Sequence, residues 1–249
     1  MRHSKQYGPF APSLLKFNVC LMKTDPKDAA SILQMYPLFE HSPLSQLQQL
    51  ATKIEAKQFG REREIYSLGD RSDRLYFLIK GVVKIGRHSS DKREVIKHIL
   101  HPMAMFGELS LTGEQHRKDF ALTMKPNTQI LVLPTTHLQR LMREDHELSM
   151  RTLHFLGNRL QYTESRLESL IFKDARERII EFLKDAAERR GKQVGYETLI
   201  KHSLTQQDIA NITGTSRQTV TSVMNDLRKS NLIYFNRRSI LIRDMAKLS

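Results

Sequence analysis

A chain of 249 residues with 39% apolar and 27% charged side chains is long enough for one or two cored domains and too apolar to be disordered. No apolar run approaches the roughly 20 residues of a membrane-crossing helix, and a single cysteine, Cys20, excludes an intrachain disulfide and all-cysteine zinc or iron–sulfur sites within one chain. Lys and Arg number 40 against 27 acids, a net +13 that points to a polyanionic partner, nucleic acid or a lipid surface, and says nothing of the fold.

Residues 1–25 read as an N-terminal arm. Pro9, Pro12 and Lys16 interrupt any signal-peptide core, and Phe17-Asn18-Val19-Cys20 lacks the small residues of a lipoprotein cleavage site. Met22 is a second candidate start, which would leave residues 1–21 as an upstream extension. With so little cysteine the expected compartment is the reducing cytoplasm. Residues 27–54 look helical, with Ser42 as a candidate N-cap and Pro43 at the first helical position before Leu44, Leu47 and Leu50.

All eight prolines lie at or before Pro134, and six of the eleven glycines fall between Gly60 and Gly113. Such punctuation fits a β-rich unit followed by helices. Strand-like runs recur at about ten-residue spacing, over Glu64–Leu68, Leu75–Ile79, Val82–Ile85, Val95–Leu100, Phe120–Met124 and Gln129–Leu133. Gly69-Asp70, Lys80-Gly81 and Pro126-Asn127 mark the turns, and the pattern implies a sandwich or barrel.

From Thr135 onward the period becomes helical. Leu153, Leu160 and Leu167 repeat every seven residues, with Leu156, Thr163 and Leu170 as the second position of an a/d stripe. A helix over 145–172 is about 40 Å long. Its charged flanks and narrow stripe favour a two-helix dimer seam, and the alternative is an amphipathic helix packed on its own domain. A further helix over Asp174–Arg189 leads into a basic C-terminal unit. Residues 170–249 hold 15 Lys/Arg and 9 Asp/Glu, a net +6, so charge alone does not locate the partner.

The most specific signal runs from Leu204 to Leu227. Thr205 caps a first helix that buries Ile209, Ala210 and Ile212; Gly214 supplies a left-handed stop; Ser216 caps a second helix that buries Val220, Val223 and Leu227. Arg217, Gln218, Thr221, Ser222 and Asn225 face outward, as a helix entering the major groove requires. Arg forks onto guanine O6/N7, and Gln onto adenine N6/N7. Leu232–Phe235 and Ser239–Ile242 then read as a hairpin around Asn236-Arg237-Arg238, either a wing whose arginines meet phosphates or a solvated turn.

In combination these residues resemble the catabolite activator / fumarate-nitrate regulator (Crp/Fnr) family of bacterial transcription regulators, over about residues 30–245. Tyr36-Pro37-Leu38-Phe39, Ile65-Tyr66-Ser67-Leu68-Gly69-Asp70 and Leu75-Tyr76-Phe77-Leu78-Ile79-Lys80-Gly81 look like its β-roll opening. Phe106-Gly107-Glu108-Leu109 looks like its ligand loop, Arg159-Leu160-Gln161-Tyr162-Thr163 like its dimer helix, and Phe172–Ile179 like its hinge. The resemblance implies an α+β fold. A jelly-roll sensor of the cyclic-nucleotide-binding kind occupies 26–144, a dimerisation helix 145–172 and a winged helix-turn-helix 173–249. It also implies a homodimer that binds a palindromic operator, with RNA polymerase as a further partner for an activator.

In the cyclic-AMP-binding members a Gly-Glu pair, an Arg-Ser/Thr pair and a Thr-Ser pair hold the nucleotide. Gly107, Glu108 and Leu109 match the loop, and Arg159 and Thr163 match positions on the helix. The rest departs: Lys118 and Asp119 stand where Arg-Ser/Thr belongs, and Glu164 takes the second helix position. A one-residue shift offers Arg117, but Lys118 follows it in place of a hydroxyl. Carboxylates repel a cyclic phosphate, and Lys lacks the guanidinium fork. Cyclic AMP, another small molecule in the same cavity and no diffusible effector all stay open, and Glu108–Arg159 reads equally as an internal ion pair. In the recognition helix Arg217 matches the base-reading arginine, while Gln218 and Ser222 depart from the usual readers. Thr205, Gln207, Ser216 and Thr219 match phosphate-binding positions.

The oxygen-sensing branch needs an N-terminal cysteine cluster, which Cys20 alone does not make, so no iron–sulfur cluster is expected. Nothing marks one of the ten histidines as a haem ligand. A cupin-type enzyme would want His-x-His; His98 and His101, three apart, should fall on opposite strand faces. With no phosphate loop, nucleophile elbow or His-Glu-x-x-His motif, the chain does not read as an enzyme and no metal site is expected. The rival reading is a cyclic-nucleotide-type module acting through a protein partner instead of DNA.

Overall fold

The computed structural model describes residues 26–248; the arm, with Cys20 and Met22, lies outside the described residues. The stretch expected as helical over 27–54 is two helices, α1 (Pro26–Gln34) and α2 (Leu44–Ala51), separated by a 3-10 turn at Pro37–Phe39. Ser42 does not cap α2. Pro43 takes the cap position without a side-chain bond, and the buried Ser42 hydroxyl instead accepts from Arg151 at 3.3 Å.

Eight strands follow: β1 (Glu55–Phe59), β2 (Glu64–Tyr66), β3 (Arg74–Lys80), β4 (Val83–His88), β5 (Glu94–Leu100), β6 (Met105–Phe106), β7 (Phe120–Thr123) and β8 (Thr128–Pro134). They form two four-stranded antiparallel sheets, β1-β8-β3-β6 and β2-β7-β4-β5. Sheets whose neighbours are distant in sequence, closed face to face, make a jelly roll. The buried faces of β3 and β8 meet there, with Phe77 and Leu131 against Tyr36 and Phe39 on one side and Leu78 and Ile130 against Val83 and Ile85 on the other. β1 and β6 escape the sequence pattern. β1 is an edge strand with mostly exposed polar residues, and β6 has only two residues.

Helix α3 (Thr135–Glu144) stops at Asp145, whose carboxylate accepts from Leu148 N at 2.9 Å and starts α4 (His146–Phe172). Arg151 ties the start of α4 to the N-terminal segment, donating to Leu38 O at 2.9 Å. Along α4 the stripe is bare: Leu153, Leu160 and Leu167 are 60%, 61% and 58% exposed, so the helix does not bury it on its own domain.

The C-terminal unit packs α5 (Ala175–Arg190), α6 (Gln206–Thr213) and α7 (Arg217–Lys229) on a sheet ordered β11-β12-β10-β9. Strands β11 (Ile233–Phe235) and β12 (Ser239–Ile242) are the expected hairpin. β9 (Lys192–Val194) and β10 (Glu197–Lys201) are additions that the sequence pattern did not reveal. A reciprocal capping box, Asp174 with Glu177, opens α5, and a second, Thr205 with Asp208, opens α6.

This unit lies against the roll. Ile96 of β5 shares an apolar cluster with Ile209 and Ile212 of α6. The Asn211 amide donates to Glu94 at 2.7 Å, and Lys84 spans Glu94 at 2.6 Å and Asp208 at 3.8 Å.

Candidate DNA interface and effector region

Two short helices at a tight turn need a residue of left-handed backbone between them. Gly214 supplies it at φ +63, and a Cβ there would sit 3.0 Å from Leu170 Cδ2. Ser216 then caps α7 by accepting from Thr219 N at 3.0 Å. Val220, Val223, Met224 and Leu227 bury one face of α7, which leaves Arg217, Gln218 and Ser222 exposed on the other. Among the described residues none of these three side chains is hydrogen-bonded or ion-paired, so their donors are open to a ligand. Thr221 differs: it is half-buried and donates to Gln206 Oε1 at 2.7 Å.

The four expected phosphate contacts border the same face. The Thr205 hydroxyl is held by Asp208, Gln207 donates to Asn211 Oδ1 at 2.8 Å, and the Ser216 and Thr219 hydroxyls lie 2.8 Å apart. On the β11–β12 turn the Asn236 carboxamide accepts from the backbone N–H of Arg238 and Ser239 at 2.8 and 2.9 Å, leaving Arg237 and Arg238 exposed.

The effector region is built around Gly107. Its φ of +80 and the 2.8 Å that would separate a Cβ from Arg74 O require glycine. Arg117 is fully buried beneath it. Its guanidinium donates to Gly107 O at 3.2 Å and Arg74 O at 2.5 Å, lies 3.5 Å from Glu114 and sits 4.6 Å over the Tyr66 ring. Lys118 is exposed, Asp119 pairs with Lys97 at 2.9 Å, and Leu109 points to solvent. Arg159 Nε lies 3.2 Å from Glu108 Oε1 without an aligned hydrogen bond, so charge, not direction, holds that pair. Thr163 is exposed and its hydroxyl donates to Arg159 O, away from the loop.

His98 and His101 do not separate as alternation would have them. β5 ends at Leu100, so the alternation stops before His101, and both rings line one cavity. Burial and neighbouring cations hold both imidazoles well below their usual range, at about 3 for His98 and about 4 for His101.

Residues 177–249 match the Crp-like helix-turn-helix domain, and residues 56–145 match the cyclic nucleotide-binding domain. The chain is 33% identical to a CRP-like cAMP-activated global transcriptional regulator of Mycobacterium tuberculosis, over 88% of this chain and 97% of the relative. It belongs to the Crp/Fnr family of transcriptional regulators. A global nitrogen regulator of Nostoc sp. is 31% identical over 77% of this chain and 86% of that one. Among solved structures, a CooA mutant of Carboxydothermus hydrogenoformans superposes with a TM-score of 0.68 at 26% identity, covering 79% of this chain and 87% of that chain.

As a Crp/Fnr regulator the protein carries a helix-turn-helix that binds DNA and a roll of the cyclic-nucleotide-binding type, and the protein-partner reading falls away. Among the described residues no helix is long and apolar enough to cross a membrane. What sequence reasoning missed at the roll is Glu114, which sits beside Arg117. Three residues N-terminal to an arginine is an ordinary helical-turn spacing and carries no family signature.

Proposed function

We propose that the protein is a cytoplasmic, homodimeric, non-enzymatic regulator that binds an imperfect palindrome, with domains divided at 26–144, 145–172 and 173–249. The observation that carries this reading is the outward face of α7, where Arg217, Gln218 and Ser222 have no partner among the described residues. Arg217 takes a guanine, Gln218 and Ser222 read its neighbours, and Thr221 contributes through the Gln206 contact. Thr205, Gln207, Ser216, Thr219, Arg237 and Arg238 meet phosphates around them. Leu153, Leu156, Leu160, Thr163, Leu167 and Leu170 form the two-fold seam, which sets the two α7 helices about one DNA turn apart, roughly 34 Å. An activating mode adds RNA polymerase as a partner.

For the effector, the arrangement around Arg117 supports a regulator that does not require cyclic AMP. Glu114 already answers the Arg117 charge where a cyclic phosphate would come to rest, Lys118 faces solvent and Thr163 turns away. A ligand phosphate at Arg117 must first displace a buried carboxylate.

The test is fluorescence anisotropy on an operator selected from random duplex DNA, across a salt series and with excess cyclic AMP. The expected result is a steep loss of affinity with salt, with a log–log slope of about −0.9 per neutralised phosphate, and no response to the nucleotide. A salt-independent signal contradicts the DNA reading. A large gain with cyclic AMP overturns the effector reading alone.

A further inference from the structure

The cavity that His98 and His101 line, of about 650 Å³, lies where the roll, α4 and the DNA-binding unit meet. Its volume is that of a small-molecule site. The roll contributes His98 and His101, and α4 contributes Asn158, Tyr162, Ser165 and Ser169. The spacing of those four α4 residues puts them on one face, opposite the leucine stripe, of which Leu170 alone reaches the cavity, so a dimer formed through Leu153, Leu160 and Leu167 leaves it open. Neither Glu108, Arg117, Lys118 nor Thr163 reaches it. It is therefore separate from the Gly107 region.

Its charge is lopsided. Lys97, Arg166, Arg178, Arg189 and Arg190 line it, against Glu181 and Asp185. Both carboxylates have partners already: Glu181 takes Lys173 at 2.6 Å, and Asp185 takes Arg189 at 2.5 Å. Lys97 has Asp119. Among the described residues Arg166, Arg178 and Arg190 have no carboxylate within 4.0 Å. Arg166 donates to Ile212 O and to the Tyr162 hydroxyl at 3.4 Å, and Arg178 to Thr213 O at 2.9 Å, Lys173 O at 2.6 Å and Gly214 O at 3.3 Å. These carbonyls end α6 and α4, and a helix C-terminus carries only about half a negative charge. Two full cations on such carbonyls are held rigid but not neutralised. Arg190 meets the ring of His101, which burial and the Arg190 charge keep uncharged, and feels Asp185 only from beyond ion-pair distance. Three guanidinium cations at the wall of one cleft form a positive site suited to an anion.

We propose that this cavity binds a small, multiply charged phosphate anion, held by Arg190 and Arg166, with the carbonyl-bound Arg178 adding its positive charge at the wall. Its walls come from β5, α4, α5 and α6, so the anion bridges the sensor and the DNA-binding unit. It stabilises the packing of one on the other, and by linkage operator DNA changes anion affinity by the same factor as the anion changes operator affinity.

The experiment is isothermal titration of the full chain, without DNA, with two probes: inorganic tripolyphosphate and adenosine diphosphate. Arg190→Gln should weaken binding at least tenfold, and Arg237→Ala with Arg238→Ala should leave it within about twofold. Gln161→Glu is a second variant on the same wall, exposed and neutral to the helix, and it should weaken binding by adding a negative charge. A loss seen with the nucleotide alone, with tripolyphosphate alone or with both supports the site and identifies the source of the phosphate. Unchanged affinity for both probes in both cavity variants overturns it, as does abolition by the wing variant, which would place the anion on the DNA surface.

Discussion

Arg217 and Arg117 are the same residue type in opposite situations. Arg217 is exposed and unpartnered, so its contribution appears only with DNA. Arg217→Ala should cost about 1–3 kcal/mol of operator affinity and relax specificity at one base pair per half-site. Competition binding against operators altered at single positions reads this, and a uniform loss across all of them would make Arg217 a phosphate contact. Arg117 is buried, and its contribution is to the fold. Removing its carboxylate leaves a charge with only two carbonyls and two rings, so Glu114→Ala should lower stability by about 3 kcal/mol in urea unfolding. An unchanged midpoint would mean that Arg117 is satisfied without Glu114. The sequence exposed the first arginine and hid the second. Arg217 follows a capping Ser216 at a legible helix start, whereas the fate of Arg117 depends on a hydrogen bond from its guanidinium to the Arg74 carbonyl, 43 residues away.

At the scale of elements, legibility follows periodicity. α4 and α7 were readable because a leucine stripe repeats along the first and a buried face along the second, and Asp145 and Ser216 stand at their starts. β9 and β10 were not. Both are short; β9 is exposed and pairs only with β10, and β10 in turn pairs with β12, which follows it by about forty residues, so no local pattern encodes them. The same argument gives the stripe its test. Leu160→Glu places a charge at the centre of the proposed seam and removes nothing from the monomer core, since Leu160 is exposed. The variant should keep its circular dichroism spectrum and lose half its mass in sedimentation equilibrium. A dimer that persists would move the seam elsewhere. Asp145→Ala, which deletes the cap of α4, should cost about 1 kcal/mol of stability, read by thermal or urea unfolding.

At the scale of the molecule, the roll meets the DNA-binding unit through an apolar cluster around Ile96, charged contacts and the neutral imidazole of His101, and meets α4 through the neutral imidazole of His98. His98 lies against Tyr162 with Arg159 and Arg166 near, and His101 lies against Arg190 with Lys125 near. Both folded-state values, about 3 and about 4, lie below the ordinary 6.5. Between those limits the unfolded chain binds protons that the folded one refuses, so stability rises with pH there. It is fully present above 6.5 and is lost as pH falls toward 4, by up to about 1.4 kcal/mol per pH unit for each ring. Urea midpoints measured from pH 7 to pH 5 should fall, and His101→Gln should flatten the slope. A slope that the variant leaves unchanged would remove His101 from the account. The same seam answers to Glu94: Glu94→Ala should speed hydrogen exchange in β5 and α6 while β3 and β8 stay protected. Equal exchange in both proteins would show that these contacts do not hold the two units together.

One end of α4 is clamped to the N-terminal segment through Arg151, and the other meets α6 through Arg166. From His146 to Phe172 the helix is a rod of about 40 Å. A rod held at one end is a lever. Tilting it by about 10° swings its far end through roughly 7 Å, a fifth of the DNA repeat that the paired reading heads must match. A displacement too small to disturb the packing of the roll is thus enough, at the other end, to take both reading heads out of phase with the grooves.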